Sequence, residues 1–248
     1  MNPYMRATQL SSGENTTKLA LITGGSRGIG AATAALLRER KWDVDKPPRS
    51  VLDFADTSSV SAYLVDWLVS LLVPEYDAVV FCHGEWYSRS PWQSPRVDPA
   101  QAWYRQHTLR VFSPMYILQF LLGGDPRWHP KCVIMVSSTR GLIGGVDTGP
   151  YSAACAAQIA LMQGYAREYP GTRFNCVAPG WTDTDMGRLV KTTGGVSNPN
   201  AVPQPAEFVA KVIVGLIEDE QANGYVVRAA NGKAERVEWT AVDVMYEV

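Results

Sequence analysis

The stretch Lys18-Leu19-Ala20-Leu21-Ile22-Thr23-Gly24-Gly25-Ser26-Arg27-Gly28-Ile29-Gly30, followed by the helical pattern of Ala31 to Arg40, decides the fold. A short apolar run of strand character empties into a glycine-rich turn that opens a helix. Glycines in that setting permit a tight turn and let the backbone approach a pyrophosphate at the helix N-terminus. Alone the motif is only suggestive, since glycine turns also join strands to helices for structural reasons.

Outward from this turn the chain alternates. A poor strand near Trp42 to Asp45 is followed by a short segment at Val51-Leu52-Asp53-Phe54, a helix across Ser58 to Leu72 and a strand from Asp77 to Cys82. A long helix across Pro99 to Leu122 precedes Val133-Ile134-Met135-Val136, a buried-type strand running into Ser137-Ser138. Then come a helix from Tyr151 to Glu168, a strand ending at Pro179, a helix near Glu207 to Asp219 and a strand around Tyr225 to Arg228. Strands alternating with helices predict an α/β fold with a doubly wound parallel sheet. It is expected as a single domain over residues 18–248, behind a loosely ordered segment, 1–17. One place breaks the pattern: only five residues, Pro47 and Pro48 among them, separate Asp45 from Val51. A parallel crossover needs a dozen or more, so the second βα unit is expected to be shortened.

Charge and cysteine content narrow the function. With 23 basic and 24 acidic residues, a formal net charge of −1 and no basic stripe, nucleic acid is not an expected partner. Cys82, Cys132, Cys155 and Cys176 are widely spaced, which argues for free thiols in a reducing cytoplasm and against a metal site. No apolar run reaches membrane-spanning length, so a soluble cytoplasmic protein is expected.

Taken together and in order, the glycine turn, Ser137-Ser138, Tyr151 and Phe174-Asn175-Cys176-Val177-Ala178-Pro179-Gly180-Trp181-Thr182-Asp183-Thr184-Asp185-Met186 resemble the short-chain dehydrogenase/reductase family over about residues 18 to 230. The resemblance implies hydride transfer between nicotinamide C4 and a carbonyl or carbinol carbon, with Ser138 holding the substrate oxygen and Tyr151 passing the proton. It places cofactor contacts at Gly24, Ser26, Arg27, Gly28, Ile29, Gly30, Gly84, Pro179, Gly180, Thr182 and Thr184. Asp53 and Phe54 fall at the adenine, Asp53 alternatively being a capping or loop carboxylate. Arg49, with Arg27, favours NADP over NAD because a guanidinium fits a 2′-phosphate, although Arg49 can also be read as a solvated loop charge and Asp43 or Asp45 as the acid of an NAD site. The family also implies a homodimer or homotetramer, through the helices of Pro99–Leu122 and Tyr151–Glu168 with their small Ala153, Ala154, Ala156 and Ala157.

Two family positions depart from the pattern. Cys155 stands four residues after Tyr151, where the family has a lysine that binds the nicotinamide ribose and lowers the tyrosine pKa. The family's asparagine slot falls on Arg110 if aligned on Pro114 and on His107 if aligned on Phe112; three apart on a helix, the two would share a face. Either the fixed positive charge has moved to Arg110, or Arg110 is an exposed helix residue. A unit charge ~5 Å from the phenol at an effective dielectric of ~20 is worth roughly 3 kcal/mol, about two pKa units. Without a replacement Tyr151 is expected near ~10, which hurts alcohol oxidation more than carbonyl reduction.

Substrate identity is nearly silent. His83, Trp86, Tyr87 and Trp92 follow a strand end, His83 being a candidate extra acid or base or a structural histidine. Gly187 to Pro205, with Gly194, Gly195, Asn198, Pro199 and Pro203, is expected to be a mobile lid. Three function classes remain open: an NADP-dependent carbonyl reductase acting on a small molecule, a non-redox isomerase, lyase or cyclase on the same fold, and a catalytically weak nucleotide-binding partner.

Overall fold

The computed structural model describes residues 17–70, 75–87, 99–192 and 200–238. The expected loose segment (save its last residue, Thr17), Trp92, and Gly194, Gly195, Asn198 and Pro199 of the expected lid lie outside these residues.

The strands β1 (Leu19–Thr23), β2 (Asp43–Asp45), β3 (Ala78–Phe81), β4 (Cys132–Val136), β5 (Arg173–Pro179), β6 (Val226–Ala230) and β7 (Lys233–Val237) form one sheet in the order β2-β1-β3-β4-β5-β6-β7. All pairs are parallel except β6 with β7. The central strands are buried on both faces, which explains their unbroken apolar runs. With a period of two, Leu21, Val79, Phe81, Val133, Met135, Phe174 and Cys176 face one core, while Ala20, Ile22, Val80, Ile134 and Val177 face the other.

The helices divide accordingly. Leu37 of α1 (Gly28–Glu39) and Ile213 and Val214 of α8 (Ala206–Glu218) cover the second face. The first face is covered by Val60 of α2 (Thr57–Ser70), Ile117 and Leu118 of α4 (Ser113–Leu122) and Ile159 and Met162 of α6 (Gly149–Glu168). Two shorter helices, α5 (Thr139–Ile143) and α7 (Asp185–Thr192), follow β4 and β5.

Three departures from the sequence reading have physical causes. The predicted long helix is α3 (Pro99–His107) joined to α4 through a π-helical turn at Thr108–Phe112. The last strand is the first arm of a hairpin, turned by Asn231 and Gly232 at φ 54° and 70°; Asn-Gly between strands is the strongest short hairpin signal, and it stands in the sequence. The start of the predicted lid is helical as α7, and Gln204 at its end is fixed by a bridge to Thr182. Val51 to Phe54 joins no strand, so the shortened βα unit leaves three-residue β2 as a sheet edge.

Phe174 is fully buried in β5 and stacks on Tyr165 of α6, with ring centroids 5.5 Å apart. Phe174→Ala is expected to cost about 3–5 kcal/mol of stability. Urea unfolding followed by circular dichroism checks this; a loss under about 1 kcal/mol would contradict the packing described.

Candidate active site

The carboxyl ends of β1, β3, β4 and β5 open onto a cavity of about 630 Å³. Open α/β sheets present ligands on this edge. Lining it together are Gly24, Ser26, Arg27, Gly28, Ile29, Gly30, Arg49, Asp53, Phe54, Gly84, Arg110, Ser138, Tyr151, Pro179, Gly180, Thr182 and Thr184. Of the residues singled out in the sequence as site candidates, Cys155 and His107 do not line it.

The glycine turn is built for close approach. Gly24 has φ 68°, and a Cβ there would sit 2.7 Å from the His83 backbone; one on Gly30 would collide with the Gly24 carbonyl. No side chain caps the start of α1, so its first N–H groups face the cavity end where the turn lies. At the mouth the charges are exposed and already paired. Arg27 lies 3.6 Å from Asp185, and Arg49 donates to Asp53 at 3.0 Å. Asp53 also accepts from the Ala55 backbone N–H at 2.9 Å, so it closes a local turn while lining the cavity.

A basic residue missed in the sequence lies beside that turn. Lys46 directly follows β2 and packs against Gly25: a Cβ on Gly25 would lie 2.8 Å from the Lys46 Cβ. Asp45 itself receives the Tyr76 hydroxyl at 3.1 Å. The signal was position, since Lys46 directly follows the last residue of β2.

Ser138 and Tyr151 meet across the other end. Ser138, extended at φ −162°, caps α5 by accepting from the Arg140 N–H at 3.2 Å, and it lies near enough to Tyr151 to favour the ionised phenol. Tyr151 sits in the first turn of α6, buried, with the Trp86 ring edge-on at 4.9 Å and the Arg110 Cζ 4.6 Å from its ring centroid. Burial pushes its phenol up to about 12, with Cys155 adding to the effect; Arg110 and Ser138 pull the other way and do not win. The value of ~10 expected from the sequence is therefore too low, because it omitted the cost of burying a phenolate.

Cys155 lies one turn along α6, fully buried and pressed against Gly141 of α5, where a Cβ would fall 2.9 Å from its own. Burial raises its thiol pKa, so it is neutral. Arg110 is 3% exposed, and its Nε is buried without a hydrogen-bond partner. It is not the exposed helix residue that the sequence also allowed. Burial opposes its charge, but its pKa still lies above the ordinary guanidinium value, so it stays protonated; of the groups acting on it, the Glu85 carboxylate is the one that carries charge at neutral pH. The Glu85 carboxylate is bound in two-pronged fashion by Arg105 instead.

His107 points elsewhere. It stacks on Trp103 and donates from Nδ1 to the Trp103 carbonyl at 2.9 Å. The expected shared face with Arg110 fails because the π-turn begins at Thr108 and widens the helix, so residues three apart no longer stack. That same turn leaves the Leu109 carbonyl to be met by Nε2 of His83, whose Nδ1 contacts the Thr23 hydroxyl at 2.6 Å and whose ring stacks on Phe54 at 3.6 Å. Burial drives the His83 pKa down to about 3, so His83 is a neutral structural bridge.

A family model described as short chain dehydrogenase matches residues 78–194. An uncharacterized oxidoreductase of Bacillus subtilis, YmfI, is 32% identical over 190 residues, which span 68% of this chain and 76% of that protein. An acetoacetyl-CoA reductase of Synechocystis sp. is 29% identical over 190 residues, 70% of this chain and 75% of the relative. Among solved structures, a small-chain dehydrogenase in complex with NADPH superposes with TM-score 0.71 at 19% identity, covering 88% of this chain and 98% of that one. ElxO with NADP bound gives TM-score 0.71 at 21% identity, with the same two coverages.

The His83 bridge has a pH signature. Its folded pKa of about 3 lies below the ordinary value of 6.5, so between these limits the unfolded chain binds a proton that the native one refuses. Its contribution is complete above pH 6.5 and is lost as pH falls toward 3, at up to about 1.4 kcal/mol per unit. Denaturant titrations across that window should show a shallower slope for His83→Gln than for the parent; identical slopes would refute the bridge.

Proposed function

This chain belongs to the short-chain dehydrogenase/reductase family, and from that premise we propose that it is an NADPH-dependent carbonyl reductase in which Arg110 supplies the charge that the family's lysine would bring. The observation that carries the proposal is the Arg110 guanidinium, buried against the ring face of Tyr151 where Cys155 offers only a neutral thiol. The close-packed turn of Gly24 to Gly30, with the uncapped start of α1 behind it, fits a dinucleotide pyrophosphate. Bound along that turn, a nicotinamide cofactor supplies the hydride.

The chain's own residues do the rest. Ser138 and Tyr151 hydrogen-bond the substrate oxygen and polarise the carbonyl. At neutral pH a phenol with pKa about 12 is protonated in all but about one molecule in 10⁵, so Tyr151 serves as donor. As its proton leaves, the phenolate forms beside a fixed cation that needs no reorganisation, which is how preorganised charge lowers a barrier. Alcohol oxidation needs the scarce phenolate and is the disfavoured direction.

NADPH is favoured over NADH by the basic residues near the glycine turn, Lys46, Arg27 and Arg49, and by the engagement of Asp45 with Tyr76. An NAD site would want a free carboxylate there to accept from the ribose hydroxyl. The relative named acetoacetyl-CoA reductase makes short 3-oxoacyl thioesters the first substrates to screen.

NADPH consumption with such thioesters is the test. Tyr151→Phe should lower kcat by about 10² to 10⁴, and Lys46→Ala should erode the preference for NADPH over NADH. Turnover that survives Tyr151→Phe, or an absence of NADPH consumption across the screen, would refute the assignment.

A homodimer through the α3, α4 and α6 surface belongs to the same proposal. Trp103, Tyr104, Phe112 and Tyr116 are exposed on α3, the π-turn and α4, and Ala153, Ala156 and Ala157 of α6 are half-buried. Large exposed aromatics beside small residues suit close helix packing across an interface. Light scattering at micromolar concentration should give a dimer or tetramer mass, and Tyr104→Glu with Tyr116→Glu should shift it toward monomer. A monomeric parent would refute this.

A further inference from the structure

Arg110 carries a whole charge into a buried place where the carboxylate that acts on it, Glu85, is already held by Arg105. Its side chain lines the cavity at 3% exposure, its Nε has no partner, and among the described residues no carboxylate ion-pairs with it. The carboxylates nearby are spent, Glu85 on Arg105 and Asp53 on Arg49. The other titratable groups facing it are Tyr151 and Cys155 from α6, Cys176 from β5, and Cys82 and His83 after β3; burial keeps the first four protonated and neutral and the histidine deprotonated and neutral. At neutral pH this end of the cavity therefore holds one uncompensated positive charge. Gly84 gives it its seat, since a Cβ there would lie 2.7 Å from Nη2 of Arg110.

We propose that Arg110 makes the site select the oxidation state of its cofactor, binding reduced nicotinamide dinucleotide phosphate more tightly than the oxidised form. This rests on the carbonyl reductase reading and goes beyond it. The reduced ring is neutral and the oxidised ring is a cation, while the remainder of the two molecules carries the same charge. A ring able to pass hydride to a carbonyl held by Ser138 and Tyr151 must lie next to Tyr151, and hence close to the guanidinium on that tyrosine's ring face. In a buried site two unit cations at such range repel by enough to change affinity about tenfold or more.

Turnover resolves the repulsion in sequence. Reduction moves the hydride to the carbonyl carbon and the Tyr151 proton to its oxygen, so the oxidised ring and a phenolate appear together and the site gains no net charge. When the phenolate takes a proton back from solvent, two cations face each other and the oxidised cofactor is expelled. By linkage, its affinity must rise as pH climbs toward the phenol pKa, whereas affinity for the reduced form stays flat.

Equilibrium titrations of the full chain with NADPH and with NADP+, without substrate, read this directly. At pH 7 the Kd for NADP+ should exceed that for NADPH by about tenfold or more, and, because the phenol is raised to about 12, the gap should hold nearly constant up to pH 9.5. Arg110→Gln should close most of the gap by tightening NADP+ binding with little change for NADPH. Cys155→Asp, which keeps Arg110 and gives it a counter-charge, should act in the same direction if Arg110→Gln does not fold. Affinities within twofold in the parent, or an unchanged ratio in the variant that folds, would overturn the inference and leave the reductase reading standing. Binding of neither form would overturn the cofactor reading and the inference with it.

Discussion

One buried imidazole ties the functional end of the molecule together. Nδ1 of His83 meets Thr23 at the end of β1, Nε2 meets the Leu109 carbonyl in the π-turn, and the ring packs on Phe54 in the loop that replaces the shortened βα unit. Three segments far apart in sequence are thus held by a side chain that burial keeps neutral. An α-helix would commit the Leu109 carbonyl to its own ladder. The π-turn frees it, and the widened turn brings Arg110 inward while His107 stays out on Trp103. The geometry of the candidate site depends on a local defect in helix winding, of the kind that π-turns at functional sites commonly supply.

Much of this was legible in the sequence because it rests on local chemistry. The glycine turn, the apolar strands and the positions of Ser138 and Tyr151 follow from backbone sterics and from strands buried on both faces, which short windows encode. The π-turn was less legible: Thr108 to Phe112 is ordinary helical sequence, its mark being Pro114 just beyond, which has no N–H to return to the Leu109 carbonyl, and that carbonyl is met instead by a histidine 26 positions away. Lys46 was overlooked because its place beside the glycine turn rests on a contact between the loops that leave β1 and β2. The β6–β7 hairpin was legible in Asn231-Gly232 and was passed over.

The size of the electrostatic effects was the least legible part. From sequence, losing the lysine left Tyr151 near the free phenol value, and a displaced cation promised to bring it lower. In the fold, burial outweighs the cation and the phenol goes the other way, to about 12. The charge of Arg110 and the burial of Tyr151 share one origin, the dry seam where the π-turn meets α6. A site so arranged holds its proton at rest and takes it back promptly once given up, which keeps Tyr151 in the donor form, a bias toward one chemical direction that no single residue type would have revealed.

The sheet also has two ends, and both are blunt. At one, β2 is three residues long, bears Asp43 and Asp45, and runs into Lys46 and two prolines that offer no N–H to a neighbour. At the other, β7 carries Lys233, Glu235 and Arg236, all exposed. An open strand edge is a template for foreign strands, and short length, charge and proline are the features that spoil the template. The short second βα unit thus does more than pare down one end of the cavity. It left a margin too short and too charged to recruit another chain by backbone pairing, so a crowded solution of this protein is guarded against fibrous association along both described borders of its sheet.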